Sequence, residues 1–185
     1  MANSDIVKGA VAVSHPSGRI PTHMYCILAG NGTATFMGDF VKSGGSSDAD
    51  GVPSVIQAAA GDALRGVIVG FVQNNADLTL MHRTVSTLRY CLVADDPATE
   101  FEIQEDADGG ALAITDVGEN ADIIVAAGST VTGLSGMELD TSTHATTAAQ
   151  LRILGFVRRP DNEVGANAKV LVRIIEHELI STTGV

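Results

Sequence analysis

Two apolar segments near the end of the chain constrain its fold more than any other feature. Both segments, Leu151 to Arg158 (LRILGFVR) and Ala168 to His177 (AKVLVRIIEH), carry apolar and β-branched residues with period two. Neither contains the start and stop signals of a helix. In the second segment Val170, Val172 and Ile174 share one face of a strand, whereas the other face is largely polar. The two segments therefore predict a β-hairpin with a long connecting loop.

The first strand of this hairpin is apolar on both faces. In a regular strand Leu151, Ile153 and Val157 lie opposite Leu154 and Phe156. A strand that is covered on both sides is typical of a barrel or sandwich wall that also carries a subunit contact.

Elsewhere the chain alternates short apolar segments with turn residues. This pattern predicts a mainly β protein, formed by a single β-barrel or β-sandwich domain with one or two short helices. Near-helical spacing of apolar residues predicts one helix at Pro53 to Ala63, and one or two helical turns are expected within Gly109 to Gly118.

The first forty residues contain two further predictions. Asn31 and Gly32 separate two apolar segments by a short turn, which predicts a hairpin between strands at His23 to Ala29 and Thr33 to Val41. Residues 1–13 alternate only weakly, so we expect an N-terminal arm that orders on a neighbour. Residues 14–185 then form the β-rich domain.

The composition favours association with a partner. Hydrophobic residues make up 45% of the 185 residues and charged residues only 18%, and exposed apolar surface is unfavourable in water. Cys26 and Cys91 both lie in apolar strand patterns, which predicts two buried thiols, with a disulfide between neighbouring strands as the alternative. Neither a signal peptide nor a membrane helix is expected, which indicates a protein made in a cytoplasm or carried on a particle assembled there.

The charge is concentrated in the middle of the chain. The net charge is -11, and no Lys or Arg occurs between Arg89 and Arg152 although many acidic residues do. Phosphate binding requires Lys and Arg to displace counterions, so direct binding to nucleic acid is not expected. The acidic stretch is interpreted as an outward surface, or as a solvated face that aids solubility.

Two acidic motifs resemble the start of a calcium loop. The sequence DADG occurs at 48–51 and at 106–109, but neither copy has the third carboxylate or the late Glu of such a loop. We therefore expect acidic turns. If a cation binds at either motif, the cluster from Glu105 to Asp108 is the better candidate, because its charges otherwise repel one another.

No enzyme signature stands out. The five histidines are not spaced as metal ligands, the glycines of 128–136 lack the Lys of a phosphate loop, and no GxSxG motif frames a serine nucleophile. The sequence predicts no catalytic residue, no cofactor and no metal; a cupin-like metal-dependent enzyme, with histidines converging inside a barrel, is the distant alternative. The histidines are His15, His23, His82, His144 and His177.

The loop that joins the two strands of the hairpin is the candidate contact site. It combines two arginines with acidic and amide side chains: Arg158, Arg159, Asp161, Asn162 and Glu163. Pairing of arginine with carboxylate locks such a loop internally or docks it onto a neighbouring subunit, and both interpretations stay open.

Three strings carry a resemblance to a known family. RILGFVRRPDNEVGANAKVLVRI at 152–174, YCLVADDPATEFEIQEDADGGALA at 90–113 and GSTVTGLSGMELD at 128–140 resemble structural proteins from the virions of tailed bacteriophages. The resemblance covers roughly Gly66 to Glu178, and its motifs contain no catalytic residue.

The resemblance implies a head decoration or cement protein, which binds the outside of an assembled capsid and reinforces it. The major capsid protein would be its partner, a homotrimer its form, and the outer surface of the head its location after assembly in the bacterial cytoplasm. A neck, tail or other minor virion protein is the alternative.

Overall fold

Twelve β-strands form two sheet systems and a small ribbon in the described part of the chain. The structure is a computed structural model that describes residues 3–74 and 77–181. The predicted mainly β class is confirmed. The strands are β1 Val11–Ser14, β2 His23–Ile27, β3 Phe40–Ser47, β4 Pro53–Gln57, β5 Gly66–Phe71, β6 Arg89–Ala94, β7 Glu100–Gln104, β8 Asn120–Ala121, β9 Ile123–Ile124, β10 Glu138–Leu139, β11 Leu151–Phe156 and β12 Lys169–Ile174.

The first system is a five-stranded antiparallel sheet in the order β1-β7-β12-β11-β8. Its centre is the predicted hairpin of β11 and β12, which is confirmed. Val170, Val172 and Ile174 are all buried, as their shared face predicted, and they pack with Phe101 and Ile103 of β7 in the larger hydrophobic core.

A β-bulge in β11 changes which side chains face outward. The register shifts between Ile153 and Gly155, so that Phe156 lies opposite Val170 and packs against the core. Leu154 is half-buried. The prediction that Leu154 and Phe156 share one face is therefore wrong, because it assumed an unbroken alternation.

The second system is a closed barrel of five strands in the order β2-β4-β3-β5-β6. A separate apolar cluster fills it: Tyr25, Ile27, Val41, Val55, Ile68, Cys91 and Val93. The predicted helix at Pro53 to Ala63 is wrong, since 53–57 form β4 between β2 and β3 and Val55 packs in this cluster. Pairing on both edges outweighs the weak helical spacing of the segment.

The predicted hairpin across Asn31 and Gly32 is also wrong. The neighbours of β2 in the barrel are β4 and β6, and β3 begins only at Phe40. The physical reason is Arg83, whose guanidinium donates hydrogen bonds to the carbonyls of Leu28, Asn31 and Thr33 and so holds this segment in a loop.

Helical structure in residues 3–74 and 77–181 is limited to three short 3-10 turns, at Ile114–Asp116, Thr141–Thr143 and Glu178–Ile180. The first of them lies within Gly109 to Gly118, where helical turns were predicted. None of the described helical segments has the length and apolar character needed to cross a membrane.

The two cysteines are buried free thiols, as predicted. Tyr25 pairs with Cys91, and Cys26 pairs with Tyr90, in the antiparallel ladder of β2 and β6. Residues that are adjacent along a strand point to opposite faces, so the two thiols lie on opposite sides of the barrel wall.

The segment before β1 contacts the same chain at several points. The Ala10 amide donates to the Gly38 carbonyl at 3.0 Å, and Val11–Ser14 form an edge strand on β7. Residues 1 and 2 of the predicted arm, and residues 75, 76 and 182–185 of the predicted domain, lie outside the described residues.

Candidate docking surface

The hairpin loop, residues 157–168 between β11 and β12, is anchored by Arg159. Its Nη1 and Nη2 donate to Oε2 and Oε1 of Glu102 at 2.8 and 2.9 Å, and the Lys8 ammonium donates to Oε1 at 2.9 Å. Glu102 lies on β7 and is only 5% exposed. Burial works to raise the pKa of Glu102, but the hydrogen bonds from Arg159 and Lys8 prevail and hold this pKa below its ordinary value.

Asn162 closes the base of the hairpin loop. Its side-chain amide donates to the carbonyls of Val157 and Lys169, both at 2.9 Å, and its Oδ1 accepts from the Lys169 amide at 2.7 Å. One side chain thus bridges the two strand ends where regular pairing stops. We infer that Asn162 defines the geometry of the loop.

The two acidic residues of the hairpin loop, Asp161 and Glu163, are held by further hydrogen bonds and ion pairs. Asp161 accepts from Lys169 Nζ and from Arg159 Nε, each at 3.3 Å. The Glu163 amide donates to Asn3 Oδ1 at 2.9 Å, and Asn3 Nδ2 donates back to the Glu163 carbonyl at 2.8 Å. The N-terminal segment is therefore fastened to the hairpin loop.

Arg158 differs from the other four candidate residues. It is exposed, and its side chain makes no hydrogen bond or ion pair with any residue in the described ranges. Internal locking of the loop, one of the two predicted roles, accounts for Arg159, Asp161 and Asn162. Only Arg158 presents a cation that is not already paired within the loop.

An apolar groove lies directly beside this loop. It has a volume of about 740 Å³, and its walls include Leu154 at the bulge, Leu171 of β12 and Val164 of the hairpin loop. Ile114 and Val117 form another part of the wall and are 72% and 41% exposed. The groove exposes apolar side chains and is bordered by the cation of Arg158, which makes it the candidate docking surface.

The two DADG motifs form hydrogen-bonded turns. Asp106 Oδ1 accepts from the amide and the hydroxyl of Thr141 at 3.0 and 2.7 Å, and the Glu105 carboxylate accepts from the Ala107 amide at 2.8 Å. Asp48 Oδ1 accepts from the Val52 amide at 2.8 Å. These carboxylates satisfy backbone donors, as the interpretation as acidic turns expected.

The histidines do not converge on one position. All five lie in the described part of the chain, and the one group of metal-ligating side chains found there contains a single histidine, His144. A cupin-like site requires imidazoles around a central metal, whereas this barrel interior consists of side chains such as Val41, Val55 and Ile68.

The groove was not predicted from the sequence, although the neighbouring loop was. Ile114 and Val117 are distant in sequence from the hairpin, and backbone hydrogen bonds between residues 118–119 and Ile153 bring them beside Leu154. One signal was available: apolar residues on both faces of the first hairpin strand required cover for the outer face.

No known protein family, curated protein or solved structure matches this chain.

Proposed function

We propose that this protein is a non-enzymatic capsid decoration protein of a tailed bacteriophage. In this proposal it binds the outer surface of the assembled head, contacts the major capsid protein and stabilises the shell as a homotrimer. The apolar groove beside an internally locked loop is the observation that carries the proposal, because it offers a rigid apolar surface with one unpaired cation at its rim. The virion assignment itself rests on the resemblance of the three strings.

The mechanism is selective binding. A protein that binds the closed shell but not the free capsid subunits shifts the equilibrium toward the shell by its binding free energy. Repetition of a modest interface over the whole shell, with several linked copies in each oligomer, adds avidity. An interface of this kind needs a rigid surface, since ordering a loop on binding would reduce the affinity.

The test is co-sedimentation of the purified protein with undecorated, expanded capsids, with stoichiometry and capsid melting temperature measured together. We expect saturable binding at hundreds of copies and a raised melting temperature. Binding at only a few copies would indicate a neck, tail or other minor virion protein. Absence of binding would overturn the proposal.

A matched pair of variants tests whether the groove is the contact. Ile114→Asp combined with Val164→Asp places two charges in the groove, and both positions are exposed enough to accept them without unfolding. Val131→Asp combined with Leu78→Asp places the same two charges on residues that are 85% and 68% exposed and are not part of the groove. We expect the groove variant to lose capsid binding and the control to keep it; equal binding by both would remove the groove from the proposal.

A further inference from the structure

Three metal-ligating side chains converge at the β8 edge of the five-stranded sheet. Asp116, Glu119 and His144 each place a ligand atom within 4.8 Å of those of the other two. All three are half-buried, so the cluster is held by the fold and yet open to an ion from solvent. This cluster is not apparent in the sequence, because His144 is distant from the two acids along the chain.

The backbone around the cluster is fixed by the sheet. Gly118 has a φ of +99°, which favours glycine, and its amide donates to the Ile153 carbonyl at 2.9 Å. Asn120 and Ala145 exchange two backbone hydrogen bonds, of 2.8 and 2.9 Å, which brings Glu119 and His144 together. The backbone that carries the ligand side chains is therefore held in place by the sheet before an ion binds.

The cluster contains two carboxylates, and its one basic side chain is the imidazole of His144. Within the described ranges, neither Asp116 nor Glu119 has a lysine or arginine nitrogen within 4.0 Å. The nearest basic partner is His144, whose Nδ1 lies 2.9 Å from Glu119 Oε2. The guanidinium of Arg152 donates to the Asn120 side chain. A divalent cation would supply the missing positive charge.

We infer that Asp116, Glu119 and His144 bind one divalent transition-metal ion of the zinc class. One imidazole and two carboxylates form a mixed nitrogen and oxygen donor set, which suits Zn²⁺ and Co²⁺ better than Ca²⁺, an ion that prefers six to eight oxygen ligands. Three protein ligands leave at least one coordination position for water. The inference stands on this geometry and does not depend on the proposed capsid role.

The ion would connect the turn of Ile114–Asp116 to the segment that carries His144. That turn presents Ile114 to the groove, and Val117 follows it directly. Metal binding would therefore stabilise the folded protein and fix one wall of the groove. This coupling between metal binding and stability can be measured as a change in Tm, without the biological partner.

The test uses the full chain, stripped with EDTA and titrated with Zn²⁺ by calorimetry and by metal analysis after dialysis. We expect one zinc ion per chain. At a zinc concentration one hundred times the dissociation constant, linkage predicts a rise in Tm of about 5 °C or more. Co²⁺ in place of Zn²⁺ should give the visible absorption of a cobalt ion with a nitrogen ligand.

Single-residue variants test whether these side chains bind the ion. His144→Ala and Glu119→Gln should each weaken zinc binding by at least about 10-fold, since each removes a direct ligand. His23→Ala is the matched control: His23 also pairs with a carboxylate, at 2.7 Å from Asp95, but it lies on β2 of the barrel. Circular dichroism of the metal-free variants checks that each is folded.

Each outcome decides the inference. Stoichiometric binding that His144→Ala loses and His23→Ala keeps supports the site, as does loss of the cobalt spectrum in His144→Ala alone. Equal binding by both variants, absence of zinc binding, or a preference for Ca²⁺ over Zn²⁺ would overturn it.

Discussion

Two loops of this protein are each held by an arginine, but by different acceptors. In the hairpin loop, Arg159 binds the carboxylate of Glu102 with two hydrogen bonds. At one end of the barrel, Arg83 is fully buried and binds backbone carbonyls, which include those of Thr87 at 2.9 Å and Asn31 at 2.8 Å. A charge pair therefore holds the hairpin loop, whereas a buried donor to several carbonyls holds the loop at the end of the barrel.

The acceptors differ in their response to pH. Backbone carbonyls do not titrate, whereas Glu102 does, with its folded pKa below the ordinary value of 4.5. A depressed folded pKa means that the stabilising contribution of Glu102 is present above about pH 4.5 and is lost as the pH falls through the folded pKa. Acid should therefore loosen the hairpin loop while the Arg83 contacts persist.

Removal of Arg83 should have the largest effect. Arg83→Met keeps the apolar stem but leaves several partly buried carbonyls without their donor, and we expect a loss of about 4 kcal/mol in the free energy of unfolding. Urea denaturation measures it. Arg19→Met is the control, because Arg19 is exposed and its side chain makes no hydrogen bond or ion pair with another described residue; its effect should stay within about 0.5 kcal/mol. A loss below about 1 kcal/mol for Arg83→Met would contradict the assigned role.

Removal of Arg159 should have a smaller effect, because Lys8 still pairs with Glu102. Arg159→Met leaves a buried carboxylate with one cation in place of two, and we expect a loss of about 2 kcal/mol at pH 7. Adding Glu102→Gln should restore at least half of that loss, since the unpaired charge is then gone. Denaturation at pH 7 and at pH 3.5 checks the cause: if the charge pair is responsible, the loss shrinks at the lower pH.

Glu138 has a pH dependence of the opposite sign to that of Glu102. Burial, followed by repulsion from Asp5 and Asp106, raises its pKa from 4.5 to about 7. The folded state therefore binds the proton more tightly, and stability falls as the pH rises from about 4.5 to about 7. We expect Glu138→Gln to stabilise the protein by about 1 kcal/mol at pH 8, allowing for partial exposure, and to change little at pH 4. An equal gain at both pH values would contradict this assignment.

The hairpin could be predicted from the sequence because its determinants are local. Alternation in Val170, Val172 and Ile174 directly reports a strand with one buried face, and the two strands are adjacent in the chain. The loop residues were recognised for the same reason, since arginine and acid occur side by side. What alternation does not report is the bulge, which returns Phe156 to the core.

The barrel was misread where its structure depends on distant residues. The segment 53–57 pairs with both β2 and β3, and these long-range pairings override its near-helical spacing. The loop after β2 exists because of Arg83, which lies more than fifty residues later. Similarly, the wall of the docking groove and the cluster of Asp116, Glu119 and His144 require the complete topology.

The smallest effect on stability is expected at Arg158, although it is adjacent to Arg159. Arg158 has no internal partner among the described residues, so Arg158→Glu should change the free energy of unfolding by less than about 0.5 kcal/mol. The same variant should reduce capsid binding in the co-sedimentation assay, because a cation at the rim of an interface acts on association with the partner. Arg19→Glu, an equal change of charge at another exposed position, is the control.

The two neighbouring arginines of the hairpin loop are therefore predicted to have different roles, one in stability and one in binding. Arg159 stabilises the loop through Glu102, and its removal should affect stability first. Arg158 lies beside the groove, and its reversal should affect binding alone. If Arg158→Glu and Arg19→Glu reduced binding equally, only the overall charge would matter, and the hairpin loop would be a locked structural element with no direct contact to a partner.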